Sequence, residues 1–80
     1  MTKAMKYSEA ARMAFVEEAR DKRLVQVTTK NIRSFTVKRF RVNGSAADSL
    51  AQHLTRFFVE SGVLTPTTRD TVFDVVQGHV

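Results

Sequence analysis

Residues 22–47 have the sequence KRLVQVTTKNIRSFTVKRFRVNGSAA, which contains no acidic residue. Seven cations give this segment a charge of +7: Lys22, Arg23, Lys30, Arg33, Lys38, Arg39 and Arg41. The rest of the chain has six cations and eight acidic residues, so it contributes −2 to the net charge of +5. Such a local positive field favours association with a polyanion or with an acidic protein surface.

The same segment is rich in β-branched and aromatic residues, which favour strands. Two runs of such residues, 24–29 and 34–42, predict a β-hairpin with a turn at 30–33. In the longer run the apolar side chains change face between Phe35 and Phe40, which indicates a β-bulge. We therefore expect a hairpin that displays cations on a solvated face. The alternative is a two-sided strand whose cations protect its edge from aggregation.

Helical patterns lie on both sides of this predicted hairpin. Residues 8–23 begin with a good N-cap residue and bring three small or aromatic side chains onto one face: Ala11, Phe15 and Ala19. A second helix begins at Ser45, which resembles a capping box with Asp48. Its apolar side chains follow the 3.6-residue period without interruption: Ala47, Leu50, Ala51, Leu54, Phe57 and Phe58. We expect this helix to form the centre of the core.

The end of the second helix is marked by Gly62, a natural C′ residue, with Val63 placed to make the accompanying hydrophobic contact. Thr65 and Pro66 then predict the start of a third helix, as N-cap and N1. The apolar face of that helix would contain Val72, Phe73 and Val76.

These elements predict a single small α+β domain over residues 1–80, with residues 1–7 and 78–80 flexible. The expected order is helix–β-hairpin–helix–helix (αββαα), with the two-stranded antiparallel hairpin covered by helices. So short a chain buries a small core, and a homodimer would add to its stability. The chain has no Cys and no apolar run of the roughly 18–20 residues that a membrane span needs, so we expect a cytoplasmic protein without membrane contact.

Catalytic and metal-binding motifs are missing from the sequence. His53 and His79 stand alone, and the acidic groups at 17–21 and 70–74 lie among cations with no nucleophile or phosphate loop nearby. We therefore expect no enzyme, no cofactor and no metal site.

Two further nucleic-acid signals are present. Gly62, between two predicted helices, favours a plain αα-hairpin; a helix-turn-helix is the alternative, although the bulky Phe58 stands where that motif usually has a small residue. Phe35 and Phe40 could stack on unpaired bases if they were exposed; the alternative places both in the core.

The predicted layout resembles the head-completion (head–tail joining) proteins of tailed phages, which are short basic αββα domains. The matching parts are the first helix ending at Asp21-Lys22-Arg23, the hairpin over 24–42 and the helix over 45–58. The third predicted helix departs from that family, which ends in a flexible tail. The resemblance implies a role in virion assembly and assigns no site residues.

We therefore predict a small basic non-enzymatic nucleic-acid-binding protein of accessory or regulatory type. Its predicted contacts with the DNA or RNA backbone are Lys30, Arg33, Lys38, Arg39 and Arg41, together with Lys22 and Arg23. The alternative is a protein–protein binding module of phage or plasmid type, either an inhibitor of a host complex or a virion assembly protein, which docks on an acidic surface. Charge alone does not separate the two, because it serves both kinds of interface.

Overall fold

The computed structural model describes the backbone of residues 3–76 and the side chains of residues 8–76. Six elements follow in the order α1 (Lys3–Lys22), β1 (Gln26–Thr28), α2 (Thr29–Phe40), α3 (Gly44–Glu60), β2 (Leu64–Pro66) and β3 (Val72–Val75). The α+β class is confirmed, but the order αββαα is wrong, since the elements run αβααββ. Helix α1 begins before the predicted Ser8. The predicted flexibility at the chain ends concerns residues largely outside the description and stays a prediction.

The largest correction concerns residues 29–40, which form a helix and not a turn followed by a strand. A capping box starts it: the Thr28 hydroxyl accepts from the Asn31 N–H at 3.2 Å, and the Thr28 N–H donates to Asn31 Oδ1 at 2.9 Å. Ile32, Phe35 and Thr36 then lie buried at the i, i+3, i+4 spacing of one helix face. Burial of that face outweighs the strand preference of the β-branched residues, and no bulge exists here.

The polar residue within this buried face explains why its period is hard to detect. Thr36 is fully buried, and its hydroxyl donates to the Ile32 carbonyl oxygen at 2.6 Å. That bond inside the helix satisfies the hydroxyl, so a threonine occupies a core position without an unpaired polar atom.

The predicted third helix is also wrong, because residues 64–75 form the hairpin of β2 and β3. The Thr67 hydroxyl organises the turn, donating to the Val72 carbonyl oxygen at 2.8 Å and accepting from the Arg69 N–H at 3.1 Å. Pro66 sits at the end of an edge strand, a position where a missing N–H is tolerated. The αα-hairpin predicted around Gly62 is wrong for the same reason, and so is its alternative, the helix-turn-helix.

The three strands form one antiparallel sheet in the order β1-β3-β2. The predicted strand at 24–29 is confirmed in part as β1, but its partner is β3, with Val27 opposite Phe73. On the solvent face, the Gln26 side chain donates to Asp74 Oδ1 at 3.1 Å. The resemblance to head-completion proteins loses its basis, because the hairpin at 24–42 that carried it does not form.

The core lies between the three helices and the inner face of the sheet. The predicted apolar faces of α1 and α3 are confirmed, with Ala11, Phe15 and Ala19 buried on α1 and Ala47, Ala51, Leu54 and Phe58 buried on α3. The rings of Phe15 and Phe58 stack at 4.7 Å between centroids, and Phe35 meets Phe15 edge-on at 5.6 Å.

The end of α3 follows the prediction. Gly62 has φ of 85° and its N–H bonds to the Val59 carbonyl oxygen, while the N–H of the buried Val63 bonds to the Phe58 carbonyl oxygen. These two bonds form a Schellman motif with glycine at C′. The capping box predicted at Ser45 is wrong: Asn43 is the N-cap residue and makes no side-chain capping bond.

Candidate nucleic-acid interface

Helix α2 and the turn after it carry most of the predicted cations. The side chains of these cations point in three different directions. Lys30 and Lys38 lie two turns apart on one exposed face, with Ser34 between them and about 12 Å of helix from first to last. Arg41 is exposed in the turn that follows. Within the described part of the chain, none of these three cations forms an ion pair. We call Lys30, Ser34, Lys38 and Arg41 the basic face.

Arg33 points away from the basic face and toward α3. Its Nε donates to Asp48 Oδ1 at 2.6 Å, and its Nη2 lies 3.4 Å from the Gly44 carbonyl oxygen. Asp48 is the first acidic residue after Asp21, and Arg33 is the one cation of α2 that forms an ion pair with a described residue. The pair ties the middle of α2 to the first turns of α3.

The remaining three predicted contacts lie elsewhere. Arg39 lines a shallow depression of about 540 Å³ between α1 and α2, together with Lys22 and three acidic residues, Glu17, Glu18 and Asp21. Lys22 also pairs with Glu18 at 3.5 Å. Arg23 is exposed at the end of α1, at the C′ position of a Schellman motif. These three cations therefore do not join the basic face, and two of them have acidic neighbours.

Arg41 has an unusual backbone conformation. It lies in the left-handed region with φ of 56° and ψ of 43°, and its N–H bonds to the Val37 carbonyl oxygen at 2.9 Å, which ends α2. Glycine is the usual residue there, because a Cβ raises the energy of this conformation. A three-residue turn, 41–43, separates α2 from α3, and Gly44 at φ of 60° opens α3.

The outward face of α3 is polar and was missed by the sequence analysis. Ser45, Ser49, Gln52 and Arg56 are all exposed, and their spacing of four, three and four residues places them in one line. We call these four residues the α3 stripe. The sequence could have indicated them: the apolar period that predicted α3 also defines the helix positions that face away from the core.

A groove of about 820 Å³ lies between the start of α2, the side of α3 and the β2–β3 hairpin. Its lining combines apolar side chains, among them Val59 and Phe73, with the charged groups Lys30, Arg33 and Arg56. Asp48, Glu60 and Asp70 line it too, so the groove has no net charge. The groove is therefore neutral overall, although it shares Lys30 with the basic face and Arg56 with the α3 stripe.

Of the two possibilities for Phe35 and Phe40, the structure supports the core: Phe35 is 6% exposed, and Phe40 packs against the core with its ring edge-on to Phe35. Neither phenylalanine therefore offers a platform on which a base could stack. His53 is exposed, as expected, and its Nε2 lies 2.8 Å from the Ser8 hydroxyl of α1.

Two general features complete the description. Within residues 3–76, none of the helices has the length and apolar character needed to cross a bilayer. No group of three His, Cys, Asp or Glu side chains in the described structure is placed to hold a metal ion.

Comparison with protein-family models, with curated proteins and with solved structures finds no match for this chain.

Proposed function

We propose that this chain is a small non-enzymatic DNA-binding protein of accessory or regulatory type. Its helix-turn-helix consists of α2, the turn at 41–43 and α3. The observation that carries the proposal is that two consecutive helices joined by a short turn carry an acid-free basic face and a polar stripe, respectively. In a helix-turn-helix the first helix crosses the phosphate backbone, and the second lies in the major groove.

The chemistry of the two helices fits that division of roles. The basic face supplies Lys30, Lys38 and Arg41, which have no acidic partner among the described residues and are available to phosphate oxygens. The α3 stripe supplies uncharged side chains and one arginine, which are the kinds of group that contact base edges. Because phosphate contacts provide most of the affinity, the cations belong on the first helix and its turn.

The β2–β3 hairpin supplies a third contact. Arg69 is exposed in its turn, which the Thr67 hydroxyl holds in shape. The element order αβααββ is that of winged helix-turn-helix domains, in which such a hairpin lies beside the second helix of the motif. This is an analogy of topology and supports the proposal only at the level of the fold.

The experiment that tests the proposal measures the affinity for a random-sequence duplex and a random single strand as salt is raised. Four phosphate contacts, from Lys30, Lys38, Arg41 and Arg69, give an expected log–log salt slope of about −4. A variant with Lys30→Ala, Lys38→Ala and Arg41→Gly should lose most of the affinity. Its matched control carries Arg20→Ala, Lys22→Ala and Arg23→Gly, which removes the same charge from the end of α1.

The outcomes separate the competing functions. Equal losses in the two triple variants would mean that net charge and not the basic face determines binding. Preference for the single strand would contradict a helix-turn-helix in the major groove. Absence of binding at low salt would overturn the proposal and favour an acidic protein as partner, to be captured in a nuclease-insensitive complex.

A further inference from the structure

We infer that the α3 stripe gives this protein a sequence preference: Arg56 selects guanine and Gln52 selects adenine, about two base pairs apart in a duplex. This inference rests on the proposed binding of duplex DNA. It concerns which bases the second helix recognises, and it uses residues that do not contribute to the positive field of the basic face.

The first support is the absence of any internal role for these side chains. Gln52 and Arg56 are exposed, and neither makes a hydrogen bond or an ion pair with another described residue. Glu60 lies one turn beyond Arg56, at the i, i+4 spacing that often produces an ion pair, yet the two are not paired. The guanidinium is therefore available to a partner outside the chain.

Two arginines elsewhere on the molecule do have acidic partners. Arg12 pairs with Glu9 at 2.8 Å and Arg33 pairs with Asp48 at 2.6 Å. Asp48 lies at the flank of the stripe, and its partner Arg33 offsets its charge. The α3 stripe can thus approach a phosphate-rich duplex with its own arginine unpaired and with the charge of Asp48 offset, whereas Glu60 has no ion-pair partner among the described residues.

The donor and acceptor groups of the two side chains match two purines. A guanidinium presents two parallel N–H donors to the O6 and N7 acceptors of guanine, and a glutamine amide pairs with the N6 donor and N7 acceptor of adenine. Gln52 and Arg56 are separated by four residues, or about 6 Å along the helix axis. Since stacked base pairs rise about 3.4 Å, the two bases are expected about two pairs apart.

The two serines of the stripe have a different effect. Ser45 and Ser49 are short, and a hydroxyl both donates and accepts, so neither side chain selects one base. Their small size lets the first turns of α3 come close to the floor of the groove. We therefore expect the preference to come from the middle of α3, at Gln52 and Arg56, and not from its start.

The test is selection from a random duplex library with the full chain, followed by affinity measurements on the selected sequence. Arg56→Lys retains the charge but loses the bidentate geometry, so it should lower affinity for the selected sequence roughly 5- to 150-fold and relax the guanine position alone. Gln52→Ala should do the same at the adenine position. Gln26→Ala, an exposed glutamine on the sheet, is the control and should change neither position.

Each outcome bears on a different claim. Selection of the two purines, with the preference lost position by position in the variants, is the expected result. Salt-dependent duplex binding without an enriched sequence, or with a preference unchanged in Gln52→Ala and Arg56→Lys, would overturn this inference and leave the proposed function standing. Absence of duplex binding by the parent chain would overturn both. Circular dichroism on each variant checks that the fold is retained.

Discussion

The 2.6 Å contact between Arg33 Nε and Asp48 Oδ1 joins the two helices of the proposed motif. It lies at the surface, since the side chains are 41% and 59% exposed, so it contributes at most about 1 kcal/mol to stability. Its larger effect is electrostatic. Asp48 adds a negative charge next to α2, and it occupies the Arg33 guanidinium, which could otherwise contact a phosphate.

Removing this acid should therefore improve DNA binding. We expect Asp48→Asn to raise affinity for random-sequence duplex and to make the log–log salt slope steeper by about one, because Arg33 becomes available to phosphate. The free energy of unfolding should fall by less than about 1 kcal/mol. Fluorescence anisotropy across a salt series, with urea unfolding alongside, measures both. Weaker binding by the variant would mean that Asp48 itself contacts the partner.

Arg41 and Arg23 allow a matched comparison of charge and backbone strain. Both are exposed arginines that follow a helix, with φ of 56° and 53°. Glycine at either position relieves a strain of about 1–2 kcal/mol, and it costs about 0.5–1 kcal/mol through the freer unfolded chain. Both variants should therefore have a free energy of unfolding equal to the parent's or up to about 1.5 kcal/mol higher.

DNA binding should distinguish these two variants. We expect Arg41→Gly to weaken duplex binding and reduce the salt slope by about one, whereas Arg23→Gly, away from the basic face, should leave both nearly unchanged. Anisotropy titrations of the two variants provide the measurement. If Arg23→Gly weakened binding as much as Arg41→Gly, the position of the interface would be wrong even though DNA binding itself remained.

The capping box at the start of α2 should make a measurable contribution to stability. Thr28→Ala removes the hydroxyl that accepts from the Asn31 N–H, and we expect it to lower the free energy of unfolding by about 0.5–2 kcal/mol. Thr29→Ala, at the exposed neighbouring position, is the control and should change it by less than about 0.5 kcal/mol. Urea unfolding compares them. Equal effects would indicate that the capping bond does not form.

Two adjacent phenylalanines test where the core lies. Phe58 is fully buried and stacks on Phe15, whereas Phe57 is only half-buried. We expect Phe58→Ala to lower the free energy of unfolding by about 3–5 kcal/mol and Phe57→Ala to cost clearly less. Urea unfolding at a fixed low temperature measures the difference in free energy of unfolding. A larger loss in Phe57→Ala would mean that α3 is rotated about its axis from the orientation described.

Sequence reasoning succeeded where one local pattern determined the structure. The uninterrupted period from Ala47 to Phe58 predicted α3 and its buried face, and Gly62 with Val63 predicted how it ends. It failed at α2 because the buried Thr36 hides the helical period and because β-branched residues favour a strand. The pairing of Gln26 with Asp74 joins residues 48 positions apart, and no local pattern indicates it.

Three of the seven predicted contact residues, Lys30, Lys38 and Arg41, belong to the candidate site, and the α3 stripe was not predicted. The seven cations were identified, yet a strand period of two places Arg33, Arg39 and Arg41 on one face, whereas the helix sends Arg33 toward α3 and Arg39 toward α1. An error in the period therefore changed which charges act together. The sequence predicted α3 correctly. Its polar stripe is recognised only when the residues outside the apolar face are considered together as a surface.

The strand order β1-β3-β2 has a consequence for biosynthesis. β3 is the central strand and also the last of the six described elements in the chain, so β1 and β2 have no ladder partner until Val72–Val75 has left the ribosome. The three helices, which come earlier, can pack first, while the sheet must close late. A chain truncated before Val72 would retain both strands with unpaired backbone edges, which is the state most exposed to aggregation.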